Sequence, residues 1–230
     1  MSDNWFRSPI WDEWGRLTRL QWSGTLAIET ELDRWEAKSV GPDDNRLIRS
    51  QRSGGQYRLY LQDHLKSLQD TSLFYGLILV RSYSLMEFQA KLVKYMIAED
   101  KTADDALVLD EDTLEQVADL KLQGGLQAWT GELMKKVGQD WSDVYGGLEG
   151  LVEIALLRNQ IVHGQSRSNA VLAERARVQG AAWPFEDGAL MVITFDLLHE
   201  YRGRMRSFCR IVGDGLVHRA RGTHRSVAKP

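Results

Sequence analysis

Apolar residues return every three or four positions along most of the chain, the spacing of amphipathic helices. Ser8-Pro9 has the form of an N-cap and a first helical residue, with Asp12 and Glu13 in the first turn. Ile10, Trp14, Leu17, Ile28, Leu32 and Trp35 then recur at helical spacing, and the pattern ends before Gly41-Pro42. A second helical pattern begins near Asp43, breaks at Gly54-Gly55, the best internal hinge, and resumes to about Leu68. The strongest helix is predicted over 71–98, where Phe74, Leu77, Ile78, Leu85, Phe88, Leu92, Tyr95 and Met96 form one stripe. Further helices are predicted over 126–137, 144–163 and 196–217. Residues 165–180 read as a polar stretch. Asp187-Gly188 signals a turn before the one convincing strand, 189–195, expected to be half of a small hairpin. The fold class is therefore all-α with a short β-hairpin insertion. The expected organisation is an N-terminal helical extension over 1–70, a helical domain over 71–218 and a frayed basic tail over 219–230.

Composition narrows the chemistry. The 230 residues carry 29 Lys+Arg against 32 Asp+Glu, so the chain is not a generally basic nucleic-acid coat, although a local basic patch is allowed. The single cysteine, Cys209, excludes an internal disulfide and a cysteine metal cluster. The longest apolar run, 73–80, is far too short to span a bilayer, so no membrane partner is expected. With no signal peptide in view, the cytoplasm is the expected compartment. Charge is also unevenly placed. Acid is concentrated in 99–119, read as a solvated loop and a helix N-terminus, and base in 201–230.

The most informative segment is 148–164. On a helical wheel Glu149, Glu153 and Gln160 fall together and define the expected solvent face. The remaining circumference is apolar except for Arg158, Asn159 and His163. An arginine buried without a partner costs several kcal/mol or more, so this helix end is a polar interface, an ion-paired core or a site. Asn159 and His163 share a face, whereas Arg158 and His163 diverge by about 140° on an ideal helix. They could meet at one ligand if Arg158 curls over the turn, or across a two-fold axis with one helix from each subunit. Paired carboxylates, a nucleophile beside the histidine and metal-ligand spacing are all missing, so neither metal nor cofactor is expected. Arginine and histidine together suit a phosphodiester. Arginine is a permanently charged, bidentate phosphate ligand, and histidine moves protons near neutral pH. In RNA the 2′-hydroxyl is a built-in nucleophile.

The run Arg158-Asn159-Gln160-Ile161-Val162-His163 resembles the signature of the HEPN superfamily: arginine, a polar residue, then histidine near the end of a core helix. The acid embedded in the long helix, Ser84-Leu85-Met86-Glu87, resembles the family as well. The likeness covers about 71–217. It implies a dimeric helical bundle and a metal-independent endoribonuclease, with the arginine and histidine of two protomers meeting at the dimer cleft. It also implies a setting in prokaryotic defence or toxin–antitoxin pairing, with a possible antitoxin or regulatory partner. In that scheme His163 is the general acid or base, Arg158 the phosphate clamp, Asn159 the orienter and Glu87 a supporting residue; Arg81, on the apolar stripe of its own helix, needs either a partner or a phosphate and is a second supporting candidate. Some family toxins carry a tyrosine two positions after the histidine. Gln165 stands there, so control by modifying such a tyrosine is not implied.

Each residue also has a purely structural reading. Arg158 could pair with an acid such as Glu87, Asn159 could bridge helices, and His163 could cap its helix. In the last helix Arg202, Arg206 and Arg210 recur every four residues, read as an RNA-binding surface beside the site or as a solvated face. Trp5, Trp11, Trp14, Trp22 and Trp35 crowd the N-terminal segment and suit packing or a subunit interface better than base stacking. The rival functions are a non-catalytic HEPN-like module that binds RNA, nucleotide or protein, and a helical scaffold.

Overall fold

The periodic segments become eight α-helices in the computed structural model, which describes residues 8–38, 41, 43–49, 58–101 and 109–226, with side chains to 219. In chain order they are α1 (Ile10–Glu36), α2 (Leu61–Gln69), α3 (Ser72–Ala98), α4 (Glu111–Asp119), α5 (Gly125–Val137), α6 (Gly147–Val162), α7 (Ala170–Val178) and α8 (Phe195–Ser226). Two short strands, β1 (Leu47–Arg49) and β2 (Arg58–Tyr60), pair antiparallel with Ile48 opposite Leu59. The protein is thus all-α with one small β-hairpin.

The centre of the fold is α3, which touches α1, α4, α5, α6 and α8. It can hold that place because it is apolar on most sides, burying Ile78, Leu79, Met86, Ala90, Leu92, Val93 and Met96. From α8, Leu198, Tyr201, Met205, Phe208, Cys209 and Val212 enter the same core. Burial pushes the Cys209 thiol up, so it is no nucleophile at neutral pH.

Helix α1 opens as its sequence asks, with the Ile10 amide 3.4 Å from Ser8 Oγ. It lies antiparallel to α3, with Glu13 near Arg81 and Gly24 near Phe74. A β-carbon at Gly24 would collide with the Phe74 ring, so glycine lets the two helices approach there. Ile10, Trp14 and Leu17 join the core of α3 and α8, so this first helix is continuous with the rest of the bundle.

Two expectations about β structure and its neighbours change. The helical pattern read over 43–68 contains the hairpin, and only Leu61–Gln69 is helical; Gly54-Gly55 lies outside the described residues. The strand expected over 189–195 is reduced to an isolated bridge between Arg167 and Leu190. The segment still alternates in burial: Met191 and Ile193 are buried while Leu190 and Val192 are exposed. It finds no partner strand: the Ile193 amide donates to Ser72 Oγ instead, at 3.3 Å. No described helix is long and apolar enough to cross a membrane.

Candidate functional site at the end of α6

Helix α6 sits against α3 on one side and α8 on another. Its orientation corrects the expected solvent face. Glu149 is exposed, but Glu153 is only 5% exposed and Gln160 is buried with it. Glu153 goes inside because α8 brings it partners. Tyr201 donates its hydroxyl proton to one carboxylate oxygen, and Arg204 Nη1 donates to the other at 2.8 Å. Arg204 also reaches Glu200 at 2.5 Å. Gly146 and Gly150 leave room for the Arg204 side chain, since a β-carbon at either would stand about 3 Å from it. A charge buried in this way is tolerated only when paired and hydrogen-bonded.

With that edge turned inward, the other side of α6 faces out. Asn159, Val162 and His163 are exposed and Arg158 is half-buried. The Arg158 guanidinium lies over the Tyr83 ring of α3, 5.4 Å from its centroid, and Nη1 donates to Asn159 Oδ1 at 3.0 Å. Arg158 Nε is buried without a hydrogen-bond partner. Among the described residues no carboxylate comes within ion-pair distance of Arg158, so the tight pairing with Glu87 considered from sequence is not formed. Glu87 is nevertheless close enough to feel the guanidinium. Burial raises its pKa, while Arg158 and then Lys91 pull it back. The Tyr83 hydroxyl is pushed well up, first by burial and then by the Glu87 carboxylate.

His163 caps the helix: its amide donates to the Asn159 carbonyl at 3.1 Å, and its side chain is exposed. Gly164 follows with φ +68°, the left-handed residue that ends such a helix. Arg158 and His163 therefore occupy one helix end but project to different sides of it. Beside them lies apolar surface. Gly76 of α3 packs on Ile161 of α6, which aligns the start of one helix with the end of the other. Leu73 is 71% exposed and Leu77 61%, and on the wheel they turn outward on the same side as Val162 and Arg158.

The comparison with protein-family models, curated proteins and solved structures finds no match. The site must be read from its own geometry.

The other predicted residues separate from this centre. Arg81 points about 160° away from Tyr83 on α3 and faces Glu13 of α1 at 3.8 Å, so it does not support Arg158. Arg202 is not a surface residue at all. It is 6% exposed, donates to Gln21 Oε1 and to Thr18 Oγ1 (2.9 Å), and lies over Trp14. Burial pulls its pKa down to about 10, helped by the neighbouring charge of Arg206. Arg206 and Arg210 are exposed, but they are not beside the Arg158 end of α6. Their stretch of α8 packs at the opposite end, where the Tyr145 amide donates to Ser207 Oγ at 3.0 Å. From Gly147 to Arg158 the axis of α6 rises about 17 Å, which separates the two places.

Sequence reasoning missed Tyr83, the platform under Arg158. Its signal was available: Tyr83 and Glu87 are four apart on α3 and face α6. Among the described residues no three His, Cys, Asp or Glu side chains gather in a way that could hold a metal ion.

Proposed function

We propose that the chain is a metal-independent endoribonuclease of the HEPN type, acting as a homodimer with Arg158 and His163 at the cleft between protomers. The observation that carries this reading is the setting of Arg158. It is a half-buried guanidinium on an aromatic platform, with no carboxylate at ion-pair distance among the described residues, next to an exposed histidine at a helix end. Such an arginine has unused capacity for an oxyanion. The exposed Leu73, Leu77 and Val162 beside it form the kind of apolar surface that marks a protein contact. A two-fold axis through this face would bring the Arg158 of one subunit toward the His163 of the other.

In the reaction the ribose 2′-oxygen attacks the adjacent phosphorus. The new P–O2′ bond forms as the P–O5′ bond breaks. His163 takes the 2′-hydroxyl proton or delivers one to the leaving 5′-oxygen, and Arg158 neutralises charge on the crowded phosphorus. Asn159, bonded to Arg158, orients the guanidinium. The products are a 2′,3′-cyclic phosphate and a 5′-hydroxyl end. A setting in prokaryotic defence or toxin–antitoxin control belongs to the same proposal.

The test is RNA incubated with the purified chain in EDTA, beside Arg158→Ala and His163→Ala, each verified as folded by circular dichroism. Cleavage by the parent protein, lost at least a hundredfold in both variants, is the expected result. Absence of EDTA-resistant cleavage, or its survival in folded variants, overturns the proposal. One observation favours a second reading. Within one chain Arg158 and His163 splay around α6, which suits a module that holds RNA, a nucleotide or a protein partner without turnover. Binding without cutting would select it.

A further inference from the structure

At the opposite end of α6 from Arg158 and His163, α1 and α8 part to form an open cleft of about 820 Å3. That volume falls within the roughly 300–1,000 Å3 of small-molecule sites. Its lining is unusual in charge. Arg19 stands on α1, and Arg206 and Arg210 stand one turn apart on α8; among the described residues no carboxylate lines the cleft. Asp214, a further turn along α8, feels Arg210 but lies outside the lining. Buried Arg202 adds a fourth positive charge behind the wall. Guanidinium groups gathered along one cleft suit a ligand that carries several phosphate charges.

The remaining lining is aromatic and bare backbone. Trp11 packs obliquely on Trp14, with ring centroids 6.3 Å apart, and Tyr145 stands exposed with its amide tethered to Ser207. Gly15 of α1 and Gly203 of α8 both lie within helices and both lack a positive φ, so neither is required by backbone conformation. Packing does not require them either. A β-carbon at Gly15 would meet only Arg19 at 3.5 Å, and one at Gly203 only the Tyr145 ring at 3.7 Å. Glycine is a poor helix residue, and at these two positions its effect is to leave space in the cleft.

We propose that this cleft is a nucleotide site, in which Arg19, Arg206 and Arg210 hold phosphate groups and Trp11 and Tyr145 flank the base. Aromatic faces take any base by stacking, and guanidinium groups take phosphate through paired hydrogen bonds. The ligand is a base carrying phosphate, either a free nucleotide or the unit of a single strand.

The experiment is calorimetric titration of the full chain with ATP, adenosine, inorganic triphosphate and a ten-residue oligouridylate. One saturable site per chain is expected, with ATP or the oligonucleotide bound at least tenfold more tightly than adenosine or triphosphate. Tighter binding of ATP identifies a free nucleotide as the occupant, and tighter binding of the oligonucleotide identifies a strand. The double variant Arg206→Ala/Arg210→Ala should lose at least tenfold in affinity. Gly15→Leu and Gly203→Leu should abolish binding while the thermal midpoint stays level or rises, because leucine is the better helix former. Saturation by neither ligand, or affinity unchanged in the arginine and folded glycine variants, overturns the proposal. The readout is binding, so its failure and the failure of RNA cleavage at Arg158 and His163 are separate results.

Discussion

Glu149 and Glu153 lie on one edge of α6 in sequence, yet they should respond to truncation in opposite ways. Glu149→Ala removes an exposed side chain and should change stability by less than about 0.5 kcal/mol. Glu153→Ala removes a buried carboxylate that accepts from Tyr201 and, at 2.8 Å, from Arg204. Breaking a buried pair costs about 3–5 kcal/mol, because the surviving charge is stranded. Glu200 remains 2.5 Å from Arg204 Nη2 and offsets part of that, which brings the expectation to about 2–4 kcal/mol. For a chain of this length each kcal/mol lowers the melting point by roughly 2–4 °C, so the fall should be roughly 5–15 °C. Urea unfolding followed by circular dichroism measures both variants. Pairing Glu153→Ala with Arg204→Met should recover part of the loss, with a coupling of about 1–3 kcal/mol. If Glu153→Ala costs no more than Glu149→Ala, the carboxylate is not a structural ion and the assigned orientation of α6 is wrong.

Two further outcomes follow from the same contacts. Glu87 has its pKa raised by burial and restrained by Arg158, so Arg158→Ala should move its NMR titration midpoint further up; an unmoved midpoint would mean that the two do not interact. A carboxyl raised in the folded state binds its proton more tightly there. This contribution to stability is therefore full below the unfolded value of about 4.3 and is lost as pH rises through the folded pKa, and Glu87→Gln should abolish the slope. Arg202→Met removes the donors to Gln21 and Thr18, so amide hydrogen exchange should accelerate in α1 around Trp14 and Gln21, and unchanged protection there would sink the anchoring role.

The long helices were legible because each carries a face wide enough to repeat. Over 71–98 and 126–137 the expected bounds fall within a residue of α3 and α5. Short α7 escaped notice: of its nine residues only Leu172 and Ala176 are buried, too few to register as a period, although Asn169 caps it by accepting from the Leu172 amide. The strand expected over 189–195 does not form, because pairing depends on a partner that local pattern does not name, although Met191 and Ile193 are buried and Leu190 and Val192 exposed. The same limit applied to α6. Nothing near Glu153 in sequence says that Tyr201 and Arg204 will arrive to receive it, so the wheel assigned it to water. Arg202 failed for the matching reason, its acceptor lying on the first helix. Arg158 was singled out because an arginine in an apolar arc is anomalous under any packing, and it is the residue that ends half-buried and without an ion pair.

The tie between Arg202 and Gln21 spans 181 residues, joining α1 to α8. At roughly 5–20 residues per second of synthesis, Gln21 is made about 10–40 s before Arg202. Throughout that interval the stripe of Ile10, Trp14 and Leu17 lacks its seat on α8. The tryptophan-bearing stripe of α1 therefore waits for α8 before it can be buried as it is in the folded bundle.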